Sequence, residues 1–260
     1  MIGKVSLVTK MAVQRPHPQS PQPATGRTIY MTEALLEIKD NHNILSYLTD
    51  TECQQVLSCA TRQLRKPGEH IFVQGEPHEG IFLIRSGSAR TYYASSTGRE
   101  ITLAHWTAGH FVGGPEIFGG GLHVWSATAL EECEIAFLAA RDIRRLMIDL
   151  PKLTIGLVDG LVYKGKCYSA LLQILGTRSA VGRLAHLLLT LAEREGVLHD
   201  APAIFGRQFS HEELANMIGA TRQWVTVSLK RFEKAGIVTF EKHRIVILDK
   251  ARLRQTAFSE

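Results

Sequence analysis

The stretch from Ser210 to Gly236 constrains this chain more than any other. It reads Ser-His-Glu-Glu-Leu-Ala-Asn-Met-Ile-Gly-Ala-Thr-Arg-Gln-Trp-Val-Thr-Val-Ser-Leu-Lys-Arg-Phe-Glu-Lys-Ala-Gly. Ser210 with Glu213 forms a capping box that opens a short helix. Gly219 closes that helix, because glycine enters a left-handed turn without steric cost. Thr221 caps a second helix, and Leu214, Ala215, Ile218, Val225 and Leu229 give the pair a shared apolar face. A small residue, a glycine four on and an aliphatic six further on (Ala215, Gly219, Val225) is the spacing of a helix-turn-helix whose second helix enters the major groove of DNA. An ordinary helical hairpin has no need of these residue types at fixed offsets.

The following residues extend this reading. Ala235-Gly236 ends the second helix, and Ile237–Phe240 and Ile245–Leu248 flank the turn Glu241-Lys242-His243-Arg244. A hairpin in this position is a wing, with Lys242, His243 and Arg244 placed to meet phosphates. On the recognition helix, Arg222, Gln223, Thr226 and Val227 lie near the N-terminal end, away from Val225 and Leu229. Arginine can bond guanine bidentately and glutamine can do the same to adenine. Thr221, Lys230 and Arg231 suit phosphate, which positions without specifying, and Ser210 completes the candidate DNA-contacting set. Trp224 is expected to pack on the helix pair. The charge agrees: residues 151–260 hold sixteen basic and ten acidic residues, whereas residues 31–150 hold ten basic and fifteen acidic. A basic end on an acidic body suits two different partners, nucleic acid being the commonest for the basic one.

Upstream, residues 1–31 are expected to form an unstructured tail, with Pro16, Pro18, Pro21 and Pro23 mixed with polar residues and little to bury. Met11 and Met31 are alternative starts to Met1. From Thr32 to Arg65 the pattern is helical, with a capping signal at Thr49. From Pro67 to about Leu138, glycines separate short strand-like runs at Ile71–Val73, Ile81–Ile84, Ala89–Tyr93 and Ile101–Ala104, the texture of a sandwich, barrel or jelly roll. Ser95–Gly98 reads as a hairpin loop. After Pro151, Leu153, Leu157, Gly160, Lys164, Cys167, Leu171 and Ile174 step by four and three, with Leu161 widening the stripe. This predicts a long helix over 151–177 with a coiled-coil-like seam. Dimerisation through that seam is the favoured reading, with Gly160 letting two backbones approach; an intrachain core stripe is the alternative. Another helix is expected over Ser179–Glu195. The four cysteines contain no C-x-x-C pair, against a zinc ribbon, an iron–sulfur cluster or a disulfide framework. No apolar run approaches the roughly 18 residues of a membrane span.

A jelly roll, a long seam helix and a winged helix-turn-helix, in this order, resemble the Crp/Fnr family of bacterial transcription regulators. The resemblance covers residues 40–250. Pro67-Gly-Glu through Gly75-Glu to Ile81-Phe-Leu-Ile-Arg-Ser-Gly is similar to the family's first hairpins, and Gly109-His-Phe-Val-Gly to the turn before its effector pocket. It implies an α+β chain: a jelly-roll, cyclic-nucleotide-binding-like sensor domain over 32–150, a dimerisation helix over 151–177 and a DNA-binding domain over 178–260. It further implies a cytoplasmic homodimer on a pseudo-palindromic operator, gated by a small-molecule effector and meeting RNA polymerase, with no catalytic activity. Arg222 matches a family arginine. Gln223 stands where the family usually has glutamate, and Val227 where it has an arginine, which alters the expected half-site.

In cyclic-nucleotide-binding relatives the pocket turn carries Gly-Glu, followed about ten residues later by Arg-Ser. Here Gly114 takes the glutamate's place, Glu116 lies two places late, and the arginine position falls on Val124 or Trp125. A phosphate without a cationic partner is poorly held in a buried site, so the expected effector is uncharged or aromatic rather than a cyclic nucleotide. Gly113, Gly114, Glu116, Phe118, Trp125, Ser126 and Tyr168 are the candidate pocket residues. No cofactor or metal is expected. His105, His110 and His123 raise haem as an option, but they form no H-x-H or H-x-x-x-H pair and read better as core or surface histidines. Two rivals stand beside the regulator. One is a cupin-like metal oxygenase, for which His105, His110 and Glu116 have the residue types but not the spacing. The other is a ligand-independent DNA-binding protein.

Overall fold

The structure, a computed structural model, describes residues 43–114, 116–194, 203–205 and 208–258. The tail and residues 32–42 of the first helical segment lie outside the described residues. Helix α1 (Asp50–Ser58) starts at a Thr49–Glu52 capping box. The helical reading to Arg65 overruns, because Thr61–Arg65 is strand β1, paired antiparallel with β8. Its five residues alternate without an apolar face of their own, and only the partner strand fixes them as extended.

Strands β2 (His70–Phe72), β3 (Gly80–Ser86), β4 (Ser88–Ala94), β5 (Glu100–Thr107), β6 (Phe111–Val112), β7 (Ser126–Ala129) and β8 (Cys133–Ala139) complete the roll. They form two antiparallel sheets of four, ordered β1-β8-β3-β6 and β2-β7-β4-β5. Strands β3 and β8 of the first sheet are buried on both faces, whereas β1 at its edge is largely exposed. Ile84, Cys133 and Ile135 face the second sheet, with Phe72, Ala89, Trp106 and Ala127. Ile81, Leu83, Ala136 and Leu138 face helices α2 (Ala140–Asp149) and α3 (Pro151–Thr177). This two-sided burial is why β3 and β8 read as apolar runs rather than alternations.

Helix α3 lies along the roll. Leu153, Leu157, Gly160, Lys164, Cys167, Leu171 and Ile174 are all buried within the chain itself, and Leu161 is half-buried. This corrects the predicted dimer seam: that stripe packs on the roll. Gly160 does serve a close approach, but to Phe111, whose ring would lie 2.8 Å from an added Cβ. The opposite side of α3 carries a second stripe at Ile155, Val158, Val162, Gly165, Ser169 and Leu172, all exposed. These positions also step by three and four. A helix apolar on two sides satisfies the same period twice, so periodicity could not tell which side the chain covers itself.

Segment Asn43–Leu48 crosses α3 at Gly156, where an added Cβ would sit 2.1 Å from the Ile44 carbonyl oxygen. That neighbour is backbone and cannot rotate away. Gly156→Ala is therefore expected to destabilise by about 3 kcal/mol, read as a lowered midpoint in thermal melts.

The remainder packs round a separate core. It comprises α4 (Ala180–Arg194), β9 (Ala203–Ile204), α5 (His211–Ile218), α6 (Arg222–Lys234), the hairpin β10 (Val238–Glu241) and β11 (Arg244–Ile247), and α7 (Lys250–Phe258). Leu184, Leu188, Phe205, Leu214, Ile218, Val225, Leu229, Val238, Ile247 and Leu253 form its interior, and β9 adds a third strand beside β11.

Candidate DNA interface and sensor site

The capping residues set the geometry of the α5–α6 pair. The Glu213 N–H donates to the Ser210 hydroxyl at 3.1 Å, and the Ser210 N–H donates back to the Glu213 carboxylate at 2.7 Å. Gly219 ends α5 at φ 64°, and the Thr221 hydroxyl accepts the Trp224 N–H at 3.2 Å. Leu214, Ala215, Ile218, Val225 and Leu229 are buried between the helices, and Trp224 is half-buried against the same core. Arg222, Gln223, Val227, Lys230 and Arg231 share the solvent side of α6, with Thr221 at its start.

Thr226 departs from the expected set. It is half-buried, its hydroxyl donates to the Arg222 carbonyl at 3.0 Å, and the His211 ring nitrogen lies 2.7 Å from it. The hydroxyl belongs to the packing between α5 and α6 rather than to the outer face. Burial, with the nearby Arg222 charge, lowers the His211 pKa, which keeps that ring a neutral partner.

The wing tip is a two-residue turn. Lys242 (φ 47°) and His243 (φ 66°) both adopt the left-handed region. The right-handed twist of paired strands demands such a turn, and each non-glycine residue holds it at about 1 kcal/mol. The Gln208 amide donates to the Lys242 carbonyl at 3.1 Å. Lys242, His243 and Arg244 are all exposed, on a hairpin that follows the recognition helix directly.

In the roll, Trp125 and Tyr168 come together with ring centroids 5.6 Å apart, and Tyr168 reaches Trp106 at 6.5 Å. Ser126 is buried beside them, and its hydroxyl accepts the Gln74 N–H. Gly113 and Gly114 both turn with positive φ, 98° and 97°. Two expected pocket residues lie elsewhere. Glu116 is exposed, and Phe118 packs into the cluster facing α2, with the Arg144 guanidinium 4.6 Å above its ring. The positive-φ glycines reverse the chain, sending Phe118 to the other side of the sheet.

Lys164, read from the sequence as a seam residue, is buried inside. Its Nζ donates to the Phe111 carbonyl and lies 3.8 Å from the Trp106 ring centroid and 4.3 Å from that of Phe111. Desolvation lowers its pKa to about 7. Unfolded, a lysine keeps its proton to about pH 10.4. Below the folded value both states hold the proton; between the two values only the unfolded state does, so Lys164's contribution to stability rises with pH across that window. Lys164→Met, which has no proton to lose, is expected to be more stable than wild type at low pH, with the gap narrowing toward about pH 9. Thermal melts of both proteins across that range check this.

His105, His110 and His123 are each buried. His123 stacks on Phe72 at 4.0 Å and meets His78 edge-on at 4.5 Å; burial, with His78 adjacent, lowers its pKa to about 4. His78 carried no signal in the sequence beyond its type. Among the described residues, no three His, Cys, Asp or Glu side chains gather where a metal could sit. No helix among them is long and apolar enough to cross a membrane.

The two cores touch. The β4–β5 hairpin reaches the turn between α5 and α6: the Arg99 guanidinium donates to the Gly219 carbonyl, and the Asn216 amide lies 3.5 Å from the Glu100 carboxylate. That carboxylate is itself held by Arg90 at 2.6 Å. Sequence reasoning missed Arg99, Glu100 and Asn216, because charged loop residues carry no periodic signal.

A roll of antiparallel sheets, a long helix and a winged helix-turn-helix define a DNA-binding transcription regulator. Residues 182–256 match the Crp-like helix-turn-helix domain and residues 62–149 the cyclic nucleotide-binding domain. The chain is 29% identical over 211 residues to the cyclic AMP receptor protein of Thermus thermophilus, covering 81% of this chain and 94% of that one. It is 28% identical over 193 residues to the fumarate and nitrate reduction regulatory protein of Escherichia coli, with coverages of 73% and 76%. The solved structure of a CooA variant from Carboxydothermus hydrogenoformans superposes with a TM-score of 0.67 at 25% identity, over 84% of this chain and 96% of that one. The chain belongs to the Crp/Fnr family, whose members are transcription regulators and not enzymes.

Proposed function

We propose that this regulator binds a pseudo-palindromic operator as a homodimer, and that a small molecule held in the roll, other than a cyclic nucleotide, sets its affinity. Arg222 and Gln223 read base edges, with Val227 against a thymine methyl. Ser210, Thr221, Lys230, Arg231 and the wing residues Lys242, His243 and Arg244 hold phosphates. The dimer forms through Ile155, Val158, Val162, Gly165, Ser169 and Leu172. The protein works in the bacterial cytoplasm and meets RNA polymerase at the promoter.

The observation that carries the gating is the hold of Arg99 on the Gly219 carbonyl. A sensor hairpin fastened to the turn of the reading head gives the two domains a joint whose making and breaking changes how the recognition helix is presented. The departure from cyclic nucleotides rests on Gly114, which stands where the relatives' glutamate would bind ribose, and on Val124 or Trp125, one of which stands where their arginine would bind phosphate.

Selection of bound sites from random duplexes, with and without small-molecule cell extract, tests the reading. A two-fold-symmetric site whose affinity depends on the extract is expected; equal affinity across all extracts favours the ligand-independent reading. Arg99→Ala is expected to shrink the extract's effect, within the about 5–150-fold range of typical allosteric coupling, as measured by operator titration.

A further inference from the structure

Lys164 is an oddity in a sensor core. Its side chain is only 7% exposed, yet none of the ion pairs among the described residues includes it. A buried ammonium without a counter-charge is costly. The Trp106 and Phe111 rings and the Phe111 carbonyl lie against its Nζ, and these meet hydrogen-bond donors without neutralising charge. A simple core lysine is an expensive way to fill space that methionine or leucine would fill better.

Its surroundings are a row of packed aromatic rings that ends at a half-buried one. Lys164 lies against Trp106, which is fully buried; Trp106 meets Tyr168, and Tyr168 meets the half-buried Trp125. The hydroxyls along this row are already engaged. Thr91 accepts the Trp106 indole N–H at 2.9 Å, and Ser126 accepts the Gln74 N–H at 2.9 Å. Tyr168 bonds Thr91. The site therefore offers aromatic walls and one cation, with few polar groups left to recognise a sugar.

We infer that Lys164 is the counter-charge for the effector, and that the effector is a small carboxylate on an apolar or aromatic body, its carboxylate at Nζ and its body among Trp106, Trp125 and Tyr168. This rests on the effector-gated reading above and names the ligand class it left open. A single carboxylate matches the single cation. A cyclic nucleotide would bring ribose and base polar groups that these walls leave unpaired. The placement also links binding to the fold. Lys164 sits on α3 and holds the carbonyl of Phe111, two residues before the Gly113–Gly114 turn. A carboxylate that draws Nζ away from that carbonyl acts at once on the long helix and on the pocket turn.

The test is a fixed panel of benzoate, indole-3-carboxylate and hexanoate, with their uncharged amides and cyclic AMP. It is followed by thermal shift and tryptophan fluorescence on the full chain, with operator affinity as a separate readout. At least one carboxylate is expected to raise the melting temperature and change the fluorescence while its amide does neither. Its affinity should fall as the pH is raised above neutrality, since a neutral amine offers a carboxylate no charge. Lys164→Met should lose the response, and the pH dependence in the wild-type protein carries the test alone if that variant does not fold. The inference is overturned if no panel carboxylate binds, if amides bind as well as acids, if Lys164→Met still responds, or if cyclic AMP binds at least as tightly as every carboxylate. A carboxylate that binds through Lys164 without altering operator affinity upholds the inference and removes the gating reading instead.

Discussion

Val162→Glu combined with Leu172→Glu is expected to leave the chain folded and to make the proposed dimer monomeric. Both side chains project from the side of α3 that the chain leaves uncovered, Val162 at 50% and Leu172 at 70% exposure. Neither contributes to the cores of the roll or of the helix-turn-helix domain. The substitutions therefore cost the isolated chain little, as surface changes usually stay within about 0.5 kcal/mol. With two α3 helices paired in parallel across a two-fold axis, as the proposed dimer would have them, each glutamate would meet its own copy, so like charges face one another in a seam that must also be dehydrated. Loss of the dimer separates the two recognition helices, and the avidity of a paired site, typically about 100- to 10,000-fold, goes with it. Analytical ultracentrifugation should give the monomer mass, and operator titration the collapse of affinity to that of a half-site. A double variant that remains dimeric would return dimerisation to some other surface. The same substitution on the opposite stripe, Leu157→Glu, should instead unfold the roll, since Leu157 is 1% exposed.

Arg222→Ala is expected to cost about 1–3 kcal/mol of operator affinity and to relax discrimination at one base pair in each half-site. Arg222 lies at the first turn of α6, exposed, with its backbone fixed by the Thr221 cap. A guanidinium there can present two parallel N–H donors to one base edge. Lys230, two turns further along the exposed side, is expected to act as a point charge on phosphate. Lys230→Ala should weaken all sequences alike and reduce the salt slope of binding by about one unit. Titrations against single-base variants of the selected site at two salt concentrations separate the two behaviours. Uniform loss from both substitutions would mean that α6 enters the groove in another register.

The reading head was the most legible part of the chain. Its signals act within a few residues: a hydroxyl three residues before a glutamate, a glycine where the backbone must turn left-handed, a cap before the second helix. Caps and left-handed turns are decided by local sterics and local hydrogen bonds, so residue types at fixed offsets suffice. Thr226 reads as an outer-face residue from α6 alone because its neighbour His211 is fifteen residues away on the preceding helix. Phe118 and Glu116 were misplaced because consecutive positive-φ glycines redirect the chain. Strand β1 reads as helix in isolation because its partner, β8, lies some seventy residues later.

A capped helix pair with a wing after a glycine-punctuated run of strands, and an apolar α3 with a three–four period, follow from residue order alone. Which side of α3 the roll consumes is a matter of packing, because two stripes of equal period differ solely in what lies against them. That packing moved Lys164 from a supposed helix seam to the interior among aromatic rings. It also left Val162 and Leu172 outside, the apolar surface of the long helix that the chain does not bury for itself.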